Sequence, residues 1–306
     1  MNKLITDLKS IELETLNNLK YSKSSNTIRA YKSDFKDFSS FCIKNGFKPL
    51  PSDPKIVSLY ITYLSSRSKI STLKRRIASI SVVHRLKGHY IDTKHPIIVE
   101  NLMGIRRKIG SFQKSKKPIL INELKEIIKA IDKVNYKKKR AIRDKAIILV
   151  GFAGGFRRSE LVSINFNDLE FVPEGVKIFI KRSKTDQSGE GMIKALPYFE
   201  NKEFCPVTIL KKWIETSEIK SGLIFDIVDK SVALLIKKYV SISGLDQKKY
   251  SGHSLRSGFA TVSAGFGADE RSIMAMTGHK TTQMVRRYIK EANLFKNNAL
   301  NKIKFN

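Results

Sequence analysis

Cysteine is almost missing from this chain. Cys42 and Cys205 are the only two among 306 residues, so no disulfide framework and no CxxC metal spacing can be built. That usage fits a reducing cytoplasm. A secretory leader is not expected either, because the opening MNKLITDLKSIELETL carries acids and lacks an apolar centre. The longest apolar run is AIILVGFAGGF, residues 146–156. Eleven residues fall well short of a bilayer span, and a soluble, non-membrane protein is expected. Catalytic signatures are missing as well. There is no GxxxxGK[ST], no HExxH, no GxSxG and no acidic cluster of the two-metal nuclease kind. Hydrolysis through a bound metal is therefore poorly supported.

Acids are also in deficit. Lys and Arg number 58 against 28 Asp and Glu, for a net charge of +30. Such a chain repels itself, and a polyanion would relieve that repulsion. The excess is +16 over residues 1–118 and +14 over 119–306, so both parts are candidates to touch one polyanion. A membrane surface fits less well, since no basic amphipathic anchor stands out. With 41% hydrophobic residues, the chain can still bury cores, and its length allows two domains.

Hydrophobic spacing outlines the organisation. Ile28, Tyr31, Phe35, Phe38 and Cys42 recur at helical period over 26–45, with Ser25 or Asn26 as the cap. A second helix follows Asp53 as cap and Pro54 at its first position. A third places Ile70, Leu73, Ile77, Ile80 and Val83 on one face, with Lys74, Arg75 and Arg76 off it as candidate DNA contacts. A short fourth helix covers 95–110. GSFQKSKKP, residues 110–118, breaks the period and reads as a linker. Its Lys114, Lys116 and Lys117 could follow a phosphate backbone. Beyond it, helices are expected over 121–132, 140–155, 206–215, 230–240, 253–265 and 268–277. A hairpin with strands around Ile178–Ile180 and 192–198 interrupts them.

Four segments of the second half carry cations or imidazoles. In GGFRRSEL, Arg157 follows a glycine pair near a helix start, with Glu160 one turn on. Alone, that pair reads as a surface ion pair, although a planar guanidinium also suits a phosphate. SKTDQSGEG puts Lys184 in the hairpin turn, where most lysines are merely solvated. His253 and Arg256 in GHSLRSGFAT project to one side of a helix. GHKTTQMVRRYIKEA holds His279 and, nine residues on, Tyr288. A phenol with an ordinary pKa near 10 needs cations nearby or a base to become a nucleophile.

Together, the order Arg, Lys, His-x-x-Arg, Gly-His, Tyr resembles the tyrosine recombinase, or phage integrase, family. The resemblance spans nearly the whole chain. It implies a mainly α fold with a small β-sheet in the C-terminal domain. A helical core-binding domain (1–109) and the linker (110–118) would precede a mixed α+β catalytic domain with its tail (119–306). It further implies that Arg157 and Arg256 clamp the scissile phosphate and that Lys184 protonates the leaving 5′ oxygen. His253 and His279 would hydrogen-bond the phosphate, and His253 could take the proton of Tyr288. Glu160 would orient its neighbours. Tyr288 would form a 3′-phosphotyrosine with no ATP, metal or other cofactor. Arg158 competes with Arg157, and Lys181 and Arg182 compete with Lys184. Ser257 stands where the family often has a second His.

The partner implied is duplex DNA, with four protomers on two sites and accessory DNA-bending proteins as candidates. The biological setting would be a mobile element in a bacterium, phage or plasmid. Leu294, Phe295, Leu300 and Ile303 in the tail could pack on a neighbouring protomer or in cis. Two alternatives remain at this level: a relative that binds DNA without catalysis, and a type IB topoisomerase-like enzyme.

Overall fold

In the computed structural model, residues 11, 14, 23–110, 115–134, 138–181, 190–296 and 298–303 are described. The chain divides into two compact units, Met1–Lys114 and Ser115–Asn306, so the expected linker straddles the division.

The first unit is built from α1 (Ser25–Lys44), α2 (Pro54–Ser65), α3 (Ile70–Leu86) and α4 (Pro96–Ile109). The cap of α1 is Ser24, one residue before the expected pair. Its backbone is extended and its hydroxyl accepts from Thr27 N. Asp53 caps α2 by accepting from Lys55 N at 2.7 Å, ahead of Pro54. The apolar stripes of these helices meet at Phe38, Cys42, Tyr60, Ile61, Leu64, Leu73 and Ile80, all nearly inaccessible to solvent. Val83 was expected to extend the α3 stripe, but it is half-buried and His84 is buried instead. The imidazole ties α3 to the turn before α2: Nδ1 lies 2.8 Å from Ile80 O, and Nε2 accepts from Ser52 N at 3.0 Å. A carbonyl only accepts and an amide only donates, so this ring is neutral and carries its proton on Nδ1.

Two cations of the basic run on α3 hold ion pairs within this unit. Arg75 pairs with the buried carboxylate of Asp34 at 2.5 Å. Arg76 is mostly covered, where it bonds Asp37 and the hydroxyl of Tyr60. Both guanidinium groups neutralise acids of α1. Lys74 has no acid partner among the described residues.

The second unit begins with α5 (Ile121–Val134) and α6 (Lys138–Ala153). Ala146 to Val150 of α6 are all essentially buried, which makes this helix the axis of the larger core. The short helix α7 (Arg158–Val162) leads to an antiparallel sheet of β1 (Leu169–Val172), β2 (Gly175–Ile180) and β3 (Met192–Pro197), in the order β1-β2-β3. β2 and β3 are the expected hairpin strands. β1 escaped the sequence reading because four residues are too few to display alternation. In the β2–β3 register Ile178 sits opposite Lys194, and the inward face carries Val176, Ile178, Ile180, Lys194 and Leu196. The helices α8 (Pro206–Ser217), α9 (Asp229–Ile242), α10 (Ser254–Gly265), α11 (Glu270–Thr277) and α12 (Thr282–Ala292) complete the unit. Among the described residues, no helix is long and apolar enough to cross a membrane.

Residues 115–119 run along the segment before α10. Lys117 N donates to Lys249 O at 2.7 Å, and Ile119 N donates to Ser254 O at 3.0 Å. Gly258 permits that approach, since a Cβ there would lie 2.2 Å from Ile119 O. A separate small cluster holds α12. Val285 is fully buried against Ala260, Ala264 and Ile273, with Tyr288 and Ile289 packed alongside. One fully buried valine contributes about 2 kcal/mol. α12 is thus much less strongly anchored than α6.

His84 makes acid stability testable. Burial lowers its pKa below the ordinary 6.5, against the pull of Ile80 O, with His89 adding a smaller lowering. A depressed pKa contributes stability above the unfolded value and loses it as pH falls through the folded value. Amide protection factors in α1–α3, corrected for intrinsic exchange, are expected to fall as pH drops below about 6.5. In His84→Gln that added acid sensitivity should be absent.

Candidate active site

The turn between α6 and α7 organises the site. Gly155 has φ +53°, a left-handed conformation that turns the chain sharply, and a Cβ there would strike Phe259 at 2.8 Å. The turn exposes two carbonyls to buried cations. Gly154 O accepts from Lys194 Nζ at 2.8 Å, and Gly155 O accepts from Arg256 Nη1 at 2.8 Å.

Arg157 caps the start of α7. Its backbone N donates to Glu160 Oε2 at 2.9 Å and its Nη1 to Glu160 Oε1 at 2.5 Å. Nη2 reaches Gly278 O at 3.2 Å. Gly278 ends α11 with φ +62°, which aims that carbonyl inward. Glu160 is buried, and Lys194 Nζ lies 3.6 Å from its Oε2. Burial alone would raise its pKa. Lys194 and the backbone and side chain of Arg157 outweigh that and hold the carboxyl below its usual range. Glu160 is therefore an ionised carboxylate inside the protein, not half of a surface pair.

Arg256 projects from the first turn of α10 and is 1% exposed. Its Nη2 lies 3.2 Å from His279 Nε2. Its buried Nε has no hydrogen-bond partner among the described residues. Burial and the neighbouring Arg157 lower its pKa to about 10. His279 Nδ1 meets Thr277 Oγ1 at 2.7 Å. Burial, then Arg256 and Arg157, depress its pKa to about 4.

His253 is the cap residue of α10 rather than a member of the helix. From there its Nε2 lies 3.3 Å from the hydroxyl of Tyr288 on α12. The His253 ring keeps a solvent-facing edge. Protein packing on its other side, then Arg256, Arg157 and Arg158, lowers its pKa. Tyr288 shifts the opposite way. Burial raises it and Arg256 and Arg287 only partly oppose that. The resting proton thus stays on the phenol, and the imidazole beside it is neutral and able to accept it. Lys116, Arg287 and Glu291 line the cleft in front of this pair.

Arg157, Glu160, His253, Arg256, His279 and Tyr288 therefore converge. Lys184 and Arg182 lie outside the described residues, as does Lys114. Lys181 is engaged by Asp168 at 2.8 Å. Of the linker lysines, the ammonium of Lys116 bonds Lys248 O. Arg158, the competitor of Arg157, packs its stem beside Gly252 and ends 3.7 Å from Asp229. Ser257 returns its hydroxyl to His253 O at 3.1 Å. Among the described residues, no cluster of His, Cys, Asp and Glu could hold a metal ion.

Sequence reasoning missed Lys194. It is fully buried, and its Nζ lies 4.2 Å from the centroid of Phe156. The available signal was phase. In MIKALP, Lys194 falls in step with Leu196, while Ile193 points out at 64% exposed.

Residues 119–294 match the model of the phage integrase family. A protein of Selenomonas ruminantium named integrase/recombinase xerD homolog is 41% identical over 317 residues, covering 99% of this chain and 92% of that protein. The chain belongs to the phage integrase family. It is a site-specific DNA recombinase, a strand-transfer enzyme of the tyrosine recombinase kind. A tyrosine recombinase XerC of Syntrophus aciditrophicus is 26% identical, covering 90% of this chain and 91% of that protein. The fold is shared with XerH recombinase bound to a palindromic difH substrate, at TM-score 0.69, 18% identity and coverage of 97% and 92%. It is also shared with a lambda integrase tetramer bound to a Holliday junction, at TM-score 0.57, 15% identity and coverage of 92% and 75%. The matches support recombination over a relaxing enzyme or an inactive binder.

Lys194 gives this recombinase a pH signature. Burial pushes its ammonium down to about 7 from 10.5, against the pull of Glu160. The associated stability is present above 10.5 and is lost as pH falls through about 7. Trp213 is the sole tryptophan and is buried in this unit, so its fluorescence reports unfolding here alone. Wild type is expected to gain stability relative to Lys194→Met as pH rises through that window. Parallel profiles for the two proteins would contradict the assignment.

Proposed function

We propose that Tyr288 is the nucleophile of DNA cleavage. Its oxygen attacks the scissile phosphorus, the phenolic proton passes to His253 Nε2, and the bond from phosphorus to the 5′ oxygen breaks. Lys184 supplies the proton that the leaving oxygen takes up. The product is a 3′-phosphotyrosine that a second 5′ hydroxyl reverses, so the phosphodiester's energy is kept and no cofactor is required. Arg157 and Arg256 bind the non-bridging oxygens and offset the charge that builds on them.

The observation that carries this reading is the Tyr288–His253 contact at 3.3 Å beside a buried arginine with an unused Nε donor. A phenol kept protonated beside an imidazole kept neutral starts in the protonation states that the transfer needs. Cationic residues held by backbone carbonyls suit an incoming phosphate.

Charge in both units supports duplex DNA as the partner, with Lys74, Arg75, Lys114, Lys116 and Lys117 as candidate phosphate contacts. Arg76, largely buried in its ion pairs, is a weaker candidate than the sequence suggested. We further propose a homotetramer on two DNA sites, acting in the cytoplasm. The exposed tail supports the assembly. Leu294, Phe295, Leu300 and Ile303 are 62%, 86%, 63% and 52% exposed, an unusual concentration of apolar surface.

Nicked suicide fragments from DNA around the protein's own gene provide the test. Wild type should form a DNA adduct that survives denaturing electrophoresis, and Tyr288→Phe should bind the same fragments without forming it. An adduct with both proteins would move the nucleophile elsewhere.

A further inference from the structure

Thr277 ends α11 beside the site and is fully buried. Its hydroxyl oxygen has two neighbours, Ile273 O at 2.6 Å and His279 Nδ1 at 2.7 Å. A carbonyl can only accept, so the hydroxyl's single proton goes to Ile273 O. The hydroxyl can then only accept from the imidazole, which places a proton on His279 Nδ1. At the far side of the ring the constraint is independent. Arg256 Nη2 is donor-only and lies 3.2 Å from Nε2, so Nε2 must be the bare acceptor. Both ends of the ring demand the same state, a neutral imidazole protonated on Nδ1. The groups facing it agree, since Arg256, Arg157, His253 and Lys194 all oppose a further positive charge there.

We propose that Thr277 is a positioning residue of the recombinase. Together with Arg256 it fixes the tautomer of His279, and through that ring it orients the Arg256 guanidinium. The hydrogen bonds run one way, from Arg256 through His279 and Thr277 to the carbonyl of Ile273. In the DNA-free site His279 accepts from Arg256 and has no proton on Nε2 to give a phosphate. Its service to the phosphate is to hold Arg256. Gly155 reinforces the arrangement. Its carbonyl takes the other terminal nitrogen of Arg256 at 2.8 Å, and a Cβ at Gly155 would lie 3.1 Å from the Thr277 methyl. Loss of the Thr277 hydroxyl would let the ring rotate or adopt the other tautomer. An Nε2–H would then face the guanidinium, donor against donor.

The proposal rests on Arg256 as the phosphate clamp, but its first readout does not depend on DNA chemistry. Full-length protein with 15N-labelled histidine would be examined by long-range proton–nitrogen correlation. His279 would be assigned by its loss in His279→Asn. Wild type and Thr277→Ser are expected to show the Nδ1–H tautomer, and Thr277→Val, which keeps the methyl packing, should lose it. On saturating suicide DNA, Thr277→Val should cleave roughly tenfold more slowly or worse, the cost of about one misdirected hydrogen bond. Thr277→Ser should restore the rate, with DNA affinity equal in all three. An Nε2–H ring in wild type would overturn the proposal. So would an unchanged tautomer, or an unchanged cleavage rate, in Thr277→Val. If wild type itself forms no adduct while the tautomer is as expected, the phosphotyrosine reading fails and the His279 geometry stands.

Discussion

One buried carboxylate, Glu160, holds together the cationic cluster of this molecule. It lies among Arg157 and Lys194, with Arg256 close enough to be felt electrostatically. Burying charges of one sign together costs several kcal/mol per ion unless each is paired and hydrogen-bonded. The protein meets that cost with a single acid and three carbonyls, those of Gly154, Gly155 and Gly278. The balance remains positive, so the pocket is short of an anion. That shortage shows in Arg256, His253 and His279, whose pKa values are all depressed by burial and by their cationic neighbours. On the proposed reading, a phosphate diester supplies the missing charge.

The same electrostatics separates acid from base. Tyr288 sits on the lightly anchored α12, where burial favours its neutral form. His253 sits at the start of α10, where burial and then the arginines favour its neutral form. Neither group ionises prematurely. An anion placed between them and the arginines would weaken the repulsion that holds His253 low, and so strengthen it as a base when substrate is present. On the proposed reading, specificity for the phosphate and activation of Tyr288 then share one cause.

Much of this was legible in the sequence. The 3.6-residue spacing marked the helices, Asp53-Pro54 marked a start, and the scattered Arg, His and Tyr motifs marked six residues of the converging site. The parts that were not legible depend on partners far away in the chain. Lys194 meets Gly154 across 40 residues, Arg256 meets Gly155 across 101, and Arg157 meets Gly278 across 121. A lysine in a strand, a threonine at a helix end and an arginine on a basic stripe look ordinary locally. Arg76 is the converse case. Its run with Lys74 and Arg75 suggested a DNA contact, but Asp34 and Asp37 on another helix absorb its charge. The four-residue strand β1 was invisible because so short an element leaves no periodicity to read.

Glu160→Gln is the most direct test of the carboxylate's role. The substitution keeps the shape and removes the charge. Single-turnover cleavage would be measured on saturating DNA, with the Trp213 melt confirming that the catalytic unit is folded. The account predicts cleavage slower by roughly tenfold or more, with DNA affinity unchanged or tighter because an acid has been removed. Cleavage at the wild-type rate by the folded variant would contradict the claim that Glu160 holds the cationic site in its working arrangement.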